Sequence, residues 1–513
     1  MVARSALLAV LVSSARAAAA VTIAEADLQA FLVNASATLY PPVKTLSQKI
    51  WNLHEISLME VQSAALVASH FESRASEGWK VTRDAYNQPT GLEVDWENRP
   101  AGSPATLPTI GILAEYDALV GVGHACGHNL IALNGILVAS LVRAAVLHYN
   151  IPAAIRLIGT PDEEFTGGKI RMYQAGAFKK GDIWMLAHPT VANAIQPMGA
   201  RHTAVLAITG TDHYNAIFKA YQALVAVVDL SGKLPGTASV AVPTENVGAY
   251  ESNVVQTEIK LGVVGDIAVV NSTIAQAWAS KAAFSAVAWT ISKDSTGVVL
   301  DITGPGGHSS EGTLGALALS VETFRLLSTN QPTYKYYLPS NTTVTELDLS
   351  ISVRSRYTSD MSAVENAVIA ATKPYYTRIS WDTIMLALEV TPYLGQRVAT
   401  IYGEAAFNES FPITNSAPAA TDAGWIQQPV VDANSAAHTF LSESVPVLHA
   451  NYGICPNATG AGCPFNHEGP FATLANAELG YQKTEKMARV EAQIAVELLA
   501  DPAKMAQARA LVK

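Results

Sequence analysis

Cys126 and His128 stand two residues apart in HACGHN, residues 124–129. A thiolate and an imidazole at that spacing can reach one metal ion, or the sulfur can bridge two. Glu163 and Glu164 are adjacent in TPDEEFTGG. Neighbouring carboxylates point in different directions, so one can hold a cation while the other takes a proton from bound water. His188 follows LA in the segment LAHP, and Asn466-His467-Glu468 supplies a late imidazole and carboxylate. Each has a plainer reading alone: a buried cysteine beside a surface histidine, a solvated acidic turn. Their conjunction argues for a metal centre.

The elements that must position these residues are legible around them. Residues 107–114 (LPTIGILA) form an apolar, β-branched run that reads as a buried strand ending at Glu115-Tyr116-Asp117. From Leu130 to Leu147 the chain is apolar nearly all round, as in a core helix. Cys126 and His128 therefore belong to a loop before a helix N-terminus, where a parallel sheet presents its chemistry. A second strand, Ala154–Gly159, runs into the paired glutamates, and a third, Ile183–Ala187, ends at His188. Three successive strand ends each deliver a ligand-type residue.

Farther along, residues 297–304 (GVVLDITG) read as a strand, followed by the turn Pro305–Ser310 with His308 and a helix to about residue 327. Leu347, Leu349, Ile351 and Val353 alternate with Asp348, Ser350, Ser352 and Arg354, the pattern of a half-buried strand, and a helix follows over about 360–373. This succession suits a small sheet with helices on one face. Residues 204–290 give no strand–helix register and contain His213 in GTDHYN. Residues 475–512 read as an Ala-rich amphipathic helix or pair broken near Asp501-Pro502.

HACGHN, the PDEE turn, LAHP and the late Asn-His pair together resemble metallopeptidase family M-twenty, with EYDAL and GHACGHNL nearest its amidohydrolase and dipeptidase-like branch. The resemblance covers 45–190 best, then 297–360 and 415–500. It implies an α/β zinc-exopeptidase-like catalytic domain, a mixed sheet flanked by helices, with a smaller α+β (ferredoxin-like) lid inserted in the chain. With the N-terminus and the unmatched stretch read on their own, the chain divides into a signal peptide at 1–20, catalytic parts at 21–203 and 396–513, an unassigned insertion at 204–290, and a lid and dimerisation domain at 291–395. It further implies two divalent ions, zinc with manganese or cobalt as alternatives, bridged by Cys126. Glu164 and His467 would complete one site, and His128 and His188 the other. Glu163 would be the general base and Asp117 would orient a ligand. His308 would bind the developing oxyanion, from the partner subunit of a homodimer, with His213 competing for that place. Asn341 and Arg354 keep a thirteen-residue spacing used for a substrate carboxylate. The chain departs from the family pattern at Asn129, at Val120, and in lacking a proline just after His308.

The whole sequence sets the surroundings. Its 513 residues are 49% hydrophobic and 15% charged, with 33 basic against 43 acidic side chains and a net charge of −10. That excludes a disordered chain, and without a basic block it makes a nucleic-acid partner an unsuitable reading. Outside the first twenty residues no long uncharged apolar run is present, so no membrane span is expected. Arg4, the apolar stretch Ala6–Val12 and Ala15-Arg16-Ala17 read as a secretory signal peptide. Sequons begin at Asn34, Asn271, Asn341, Asn408 and Asn457, and Cys455 and Cys463 bracket a turn-rich loop that a disulfide could close. The expectation is a secreted, glycosylated amide or peptide hydrolase acting on a dipeptide or an N-acyl amino acid. The alternatives are a catalytically lapsed peptide-binding or structural protein, and a serine hydrolase, for which GHSSE lacks the closing glycine of a nucleophile elbow.

Overall fold

A computed structural model describes residues 20–240, 255–307, 315–405, 407–417, 419–427, 445–457 and 459–510. The expected signal peptide and His308 lie outside these residues. Two units emerge, each built around its own core.

The first unit holds a seven-stranded mixed sheet. Its strands are β1 (Lys80–Arg83), β2 (Leu92–Asn98), β3 (Thr109–Ala114), β4 (Ala153–Gly159), β5 (Ile183–Thr190), β6 (Ala194–Ile195) and a last strand from the far end of the chain, Val447–Gly453. The order is β1-β2-β4-β3-β5, then Val447–Gly453, then β6, parallel from β4 through Val447–Gly453 and antiparallel at both margins. Side chains alternate across it. Ile110, Ile112, Ile155, Leu157, Ile183 and Met185 enter one core with the helices Glu25–Leu53, His128–His148 and Glu478–Ala500, whereas Leu113, Ile158, Trp184 and Leu186 enter a second core on the opposite face. Helix His128–His148 is long and apolar enough to cross a membrane, yet 78% of its apolar window is buried in the protein. Its all-round apolarity reflects coverage by the sheet and two helices.

The second unit occupies a single stretch of chain. Its strands are β7 (Ala200–Thr209), β8 (Gly236–Val240), β9 (Glu258–Val264), β10 (Ala288–Lys293), β11 (Val298–Thr303), β12 (Lys335–Tyr337), β13 (Glu346–Ser355) and β14 (Arg378–Trp381), with Val447–Gly453 therefore β15. They form two four-stranded antiparallel sheets, β14-β7-β13-β8 and β10-β11-β9-β12. Numbered within its own sheet, the first runs 4-1-3-2 and the second 2-3-1-4, the same order read from opposite edges. Each has a helix after its first and third strands (His213–Val228 and Met361–Thr372; Ile267–Ala279 and Ala316–Asn330). That is the ferredoxin-like arrangement twice over, the second copy nested between the second and third strands of the first.

This placement differs from the boundaries read in sequence. Residues 204–290 are not apart from the lid: they supply most of β7, then β8, β9 and two helices of the two sheets. Nesting separates strands that pair, so local register along the chain was invisible. Helix Ile267–Ala279 also concealed itself, because its exposed face is Ala, Asn, Ser, Gln and Trp, with no charge to mark it as amphipathic. The lid spans β7 to β14, and the chain crosses to it and back at one seam, where Met198 pairs with Leu388 and Arg201 with Met385. At the C-terminus, the expected break is present: helix Glu478–Ala500 ends and Pro502–Ala510 begins after Asp501.

Candidate active site

The three strand ends do converge. β3 leads to Glu115 and Asp117, β4 to Glu163 and Glu164, β5 carries His188, and His467 arrives on the loop before helix Gly469–Leu474. Between β3 and the core helix, Gly127 adopts φ 83°, and a Cβ there would come 2.6 Å from the Pro189 ring. Glycine thus lets the loop press against the end of β5 and turn Cys126 toward His188. The thiol lies 3.4 Å from His188 Nε2. His467 takes a left-handed φ of 72° while its N–H donates to Ala125 O at 2.9 Å, so strain is held where the late loop meets HACGHN. Asn466 fastens the same junction, donating to the carbonyls of Cys126 and Pro189.

Ligand atoms fall into three overlapping groups, each within 4.8 Å: Cys126 with His128 and His188, Cys126 with Glu164 and His467, and His128 with Glu163 and Glu164. Cys126 is common to the first two. The fit to cations can be tested on the histidines. His128 Nδ1 is 2.7 Å from Asp117 Oδ1, which assigns the ring proton to that nitrogen, and the fully buried Nε2 makes no hydrogen bond. His188 Nδ1 likewise faces Pro189 O at 2.8 Å. Each imidazole is therefore oriented with a lone pair directed inward, as a metal ligand requires. Asp117 has further partners, accepting from Ser57 Oγ at 2.9 Å and from Glu164 N at 3.0 Å.

Electrostatics separate the two glutamates. Burial, reinforced by Glu115, pushes Glu163 well above the ordinary carboxyl range, with Lys169 opposing. Burial also disfavours ionised Glu164, but His467 beside it and His128 override that penalty and hold it well below the range. The Cys126 thiol is pushed up by burial and then by Glu164. A cation would have to displace its proton to bind the sulfur. Burial and His128 bring His188 down to about 4.

Several residues that reading the sequence did not single out complete the surroundings. Buried Lys169 sits 2.5 Å from Asp422 Oδ1 and 2.6 Å from Glu115 Oε1, tying the loop after β4 to β3 and to the distant segment that precedes helix Gly424–Gln427. His449, on β15, is 6% exposed and its ring lies 6.0 Å from that of His188. Arg201, on β7, is the cross-strand partner of Arg354 on β13. Lys169 directly follows GG in the acidic turn and could have been noticed there. Asp422, His449 and Arg201 have no motif around them and needed the fold.

The remaining expectations scatter. Arg354 is 8% exposed and lies within electrostatic reach of Glu163. Asn341 does not join it. It precedes the ten-residue β13, whose rise of about 3.4 Å per residue puts Glu346 about 27 Å from Arg354. The Asn341 side chain instead closes its own turn, accepting from Thr343 N at 2.9 Å. A thirteen-residue spacing therefore does not make a joint carboxylate clamp here. His213 is remote for the same reason: it opens the helix beyond the far end of β7 from Arg201, with Asp212 as its N-cap. Cys455 and Cys463 are joined in a disulfide and Cys126 is a buried free thiol. Asn34, Asn271, Asn408 and Asn457 are exposed.

No protein-family model matches the chain. It is 36% identical over 180 residues to a human Xaa-Arg dipeptidase, covering 34% of this chain and 41% of that protein. Over 161 residues it is 30% identical to a component of the p-aminobenzoyl-glutamate hydrolase of Escherichia coli (strain K12), covering 28% of this chain and 31% of that one. The chain thus spans about two fifths or less of the length of these curated relatives. A solved structure, the aminobenzoyl-glutamate utilization protein from Klebsiella pneumoniae, aligns over 91% of this chain and 98% of its own at 14% identity and a TM-score of 0.46.

Proposed function

We propose, from an M-twenty amidohydrolase and dipeptidase-like resemblance that the two curated relatives bear out, that this chain is a dinuclear metal-dependent hydrolase of small amides or peptides. The supporting observation is the single thiol shared by two ligand triplets, Cys126 with His128 and His188 and Cys126 with Glu164 and His467. Those five residues would hold two divalent ions, zinc first among them. When bound, such ions supply Lewis acidity toward a carbonyl and lower the pKa of water.

The protein's own groups do the rest. Glu163, beside the proposed ligand Glu164 and grouped with it and His128, would accept a proton from the attacking water and release it to the departing amine. Asp117 fixes the His128 tautomer through the 2.7 Å contact to Nδ1. Lys169 gathers Glu115 and Asp422 and keeps the acidic loop after β4 in place. The oxyanion donor is proposed to be His308, acting from a partner subunit. Substrates would be dipeptides or N-acyl amino acids, a range consistent with the activities that name the two relatives. Secretion and glycosylation are proposed with it. A disulfide at Cys455–Cys463 supports an oxidising compartment.

The test is elemental analysis coupled to hydrolysis. Purified protein is expected to carry about two divalent ions per chain, and a chelator should abolish amide hydrolysis until metal is restored. Metal-free protein with chelator-insensitive hydrolysis would overturn the reading. Two bound ions with no hydrolysis across dipeptides and N-acyl amino acids would favour the lapsed binding protein.

A further inference from the structure

Exposed apolar side chains gather where the candidate metal ligands are. Of the twelve large ones left exposed among the described residues, six (Ile56, Leu58, Met59, Val120, Phe165 and Phe465) stand on the loops that carry or brace those ligands. Phe165 follows Glu164, and Phe465 precedes His467 by two residues. Scattered singly such residues need no explanation, but a gathered set marks a place where something apolar binds.

Hydrogen bonds show that these loops touch. Ser57 Oγ and Glu164 N donate to the same oxygen, Asp117 Oδ2, at 2.9 and 3.0 Å. Leu58 N and Asp162 N likewise share Glu60 Oε1, at 3.0 and 2.9 Å. Ile56 bridges Ala118, and two residues on Val120 tips the turn closed between Leu119 and Gly123. Leu58 is held at φ 67°, a left-handed conformation that a branched side chain adopts only at a cost. The acceptor that fixes this turn, Glu60, is itself buried. Strain of that kind persists where the surroundings over-determine it, and here it keeps a leucine 49% exposed beside the site.

The position of this rim indicates its occupant. A second copy of the chain seated on it would crowd the approach to Glu164 and His467, whereas a substrate has to come there. Residues 56–59, 119–123 and 165–168 include no charged side chain. A carboxylate or an α-ammonium laid on them would find no partner. The acyl end of an N-acyl amino acid carries neither.

We propose that Ile56, Leu58, Val120 and Phe165 form an apolar rim that takes the acyl chain of the amide substrate, so that turnover rises with the length of an uncharged chain. The hydrolase reading supplies the scissile bond, and the loop geometry supplies the rim.

The experiment compares N-acetyl-, N-butanoyl-, N-hexanoyl- and N-octanoylalanine on the full-length protein as purified. On a rim that covers about half of each methylene, kcat/KM should rise about twofold per methylene, roughly fiftyfold from acetyl to octanoyl. N-hexanoylalanine should exceed norleucyl-alanine, the same chain bearing an α-ammonium, by about tenfold or more. Leu58→Asn, which suits a left-handed backbone, and Phe165→Ser should each cut the octanoyl-to-acetyl ratio severalfold. Val33→Ser should keep the ratio: Val33 is also 49% exposed, but it lies about 30 Å back along helix Glu25–Leu53 from the end that leads to the rim. Melting curves close to wild type establish that the variants fold. A wild-type ratio near one, ratios unchanged in both rim variants, or a preference for norleucyl-alanine overturns the rim. So does a dimer that Leu58→Asn dissociates while the ratio stays intact. Tighter calorimetric binding of N-octanoylalanine than of N-acetylalanine, lost in Leu58→Asn, with no hydrolysis of either, leaves the rim standing and overturns the hydrolase reading. Hydrolysis with no gain from chain length does the reverse.

Discussion

Glu163 and Glu164 are one peptide bond apart, yet their surroundings drive them in opposite directions. Burial and Glu115 raise the first, while burial of the second is outweighed by His467 and His128. In the proposed mechanism, environment rather than residue type would assign base and ligand. Glu163→Gln is expected to retain metal while lowering kcat by about 10²–10⁴-fold, the usual cost of a lost general base. Glu164→Gln should instead lose metal, because it removes an anionic donor from a group that also contains Cys126 and His467. Metal analysis beside steady-state kinetics decides it; equal metal loss in both variants would show the pair assigned the wrong way round. At this scale the sequence was informative where chemistry is packed into short motifs, as in HACGHN and PDEE. It was silent on Arg201, which meets Arg354 only once β7 is laid against β13. It was misleading for Asn341, since counting residues along a strand says nothing about the length of the strand between them.

Strands and helices were legible in proportion to how completely they are buried. β3, β4, β5 and the core helix announce themselves by apolar runs because both faces of the sheet are covered. The C-terminal helix Glu478–Ala500 shows the cost of being covered on several sides. It carries Glu491, which is 1% exposed, and burial pushes that carboxyl up to about 8. Between the unfolded value near 4.5 and the folded value near 8, the folded protein holds a proton that the unfolded chain has released. Stability from this group is therefore complete at low pH and is lost as pH rises through that window, by about 1.4 kcal/mol per unit. Glu491→Gln should remove the slope. Thermal melts at successive pH values are expected to show variant and wild type converging toward pH 5 and the variant increasingly more stable toward pH 8. Parallel curves would mean that Glu491 has a partner that keeps it ionised.

On the scale of the molecule, the chain leaves the catalytic unit after β6, builds two nested ferredoxin-like sheets, and returns at the Met198–Leu388 and Arg201–Met385 seam. Pairing strands far apart in sequence, β7 with β13 and β5 with β15, is the part that local pattern could not supply. The two units have separate hydrophobic cores, although the lid core does reach Ile170 and Trp425 on the catalytic side. All five candidate metal ligands belong to one unit, and they come from four segments of it: Cys126 with His128, Glu164, His188 and His467. Cations that bind only the folded arrangement stabilise it by mass action, about 2.7 kcal/mol when free metal is a hundredfold above Kd. For a unit of about 300 residues that corresponds to a melting shift of roughly 3–5 °C. Calorimetry is accordingly expected to show two transitions, and chelation should lower one of them by that amount while leaving the other in place. Limited proteolysis at the lower of the two temperatures should spare a fragment near residues 199–388 if the lid is the more stable unit in the metal-free protein. A single transition that moves as a whole would mean the seam couples the units into one cooperative block. Two transitions that both ignore the chelator would mean that the shared thiol and its neighbours hold no metal. In that case the motifs at three strand ends would need the plainer reading each has on its own.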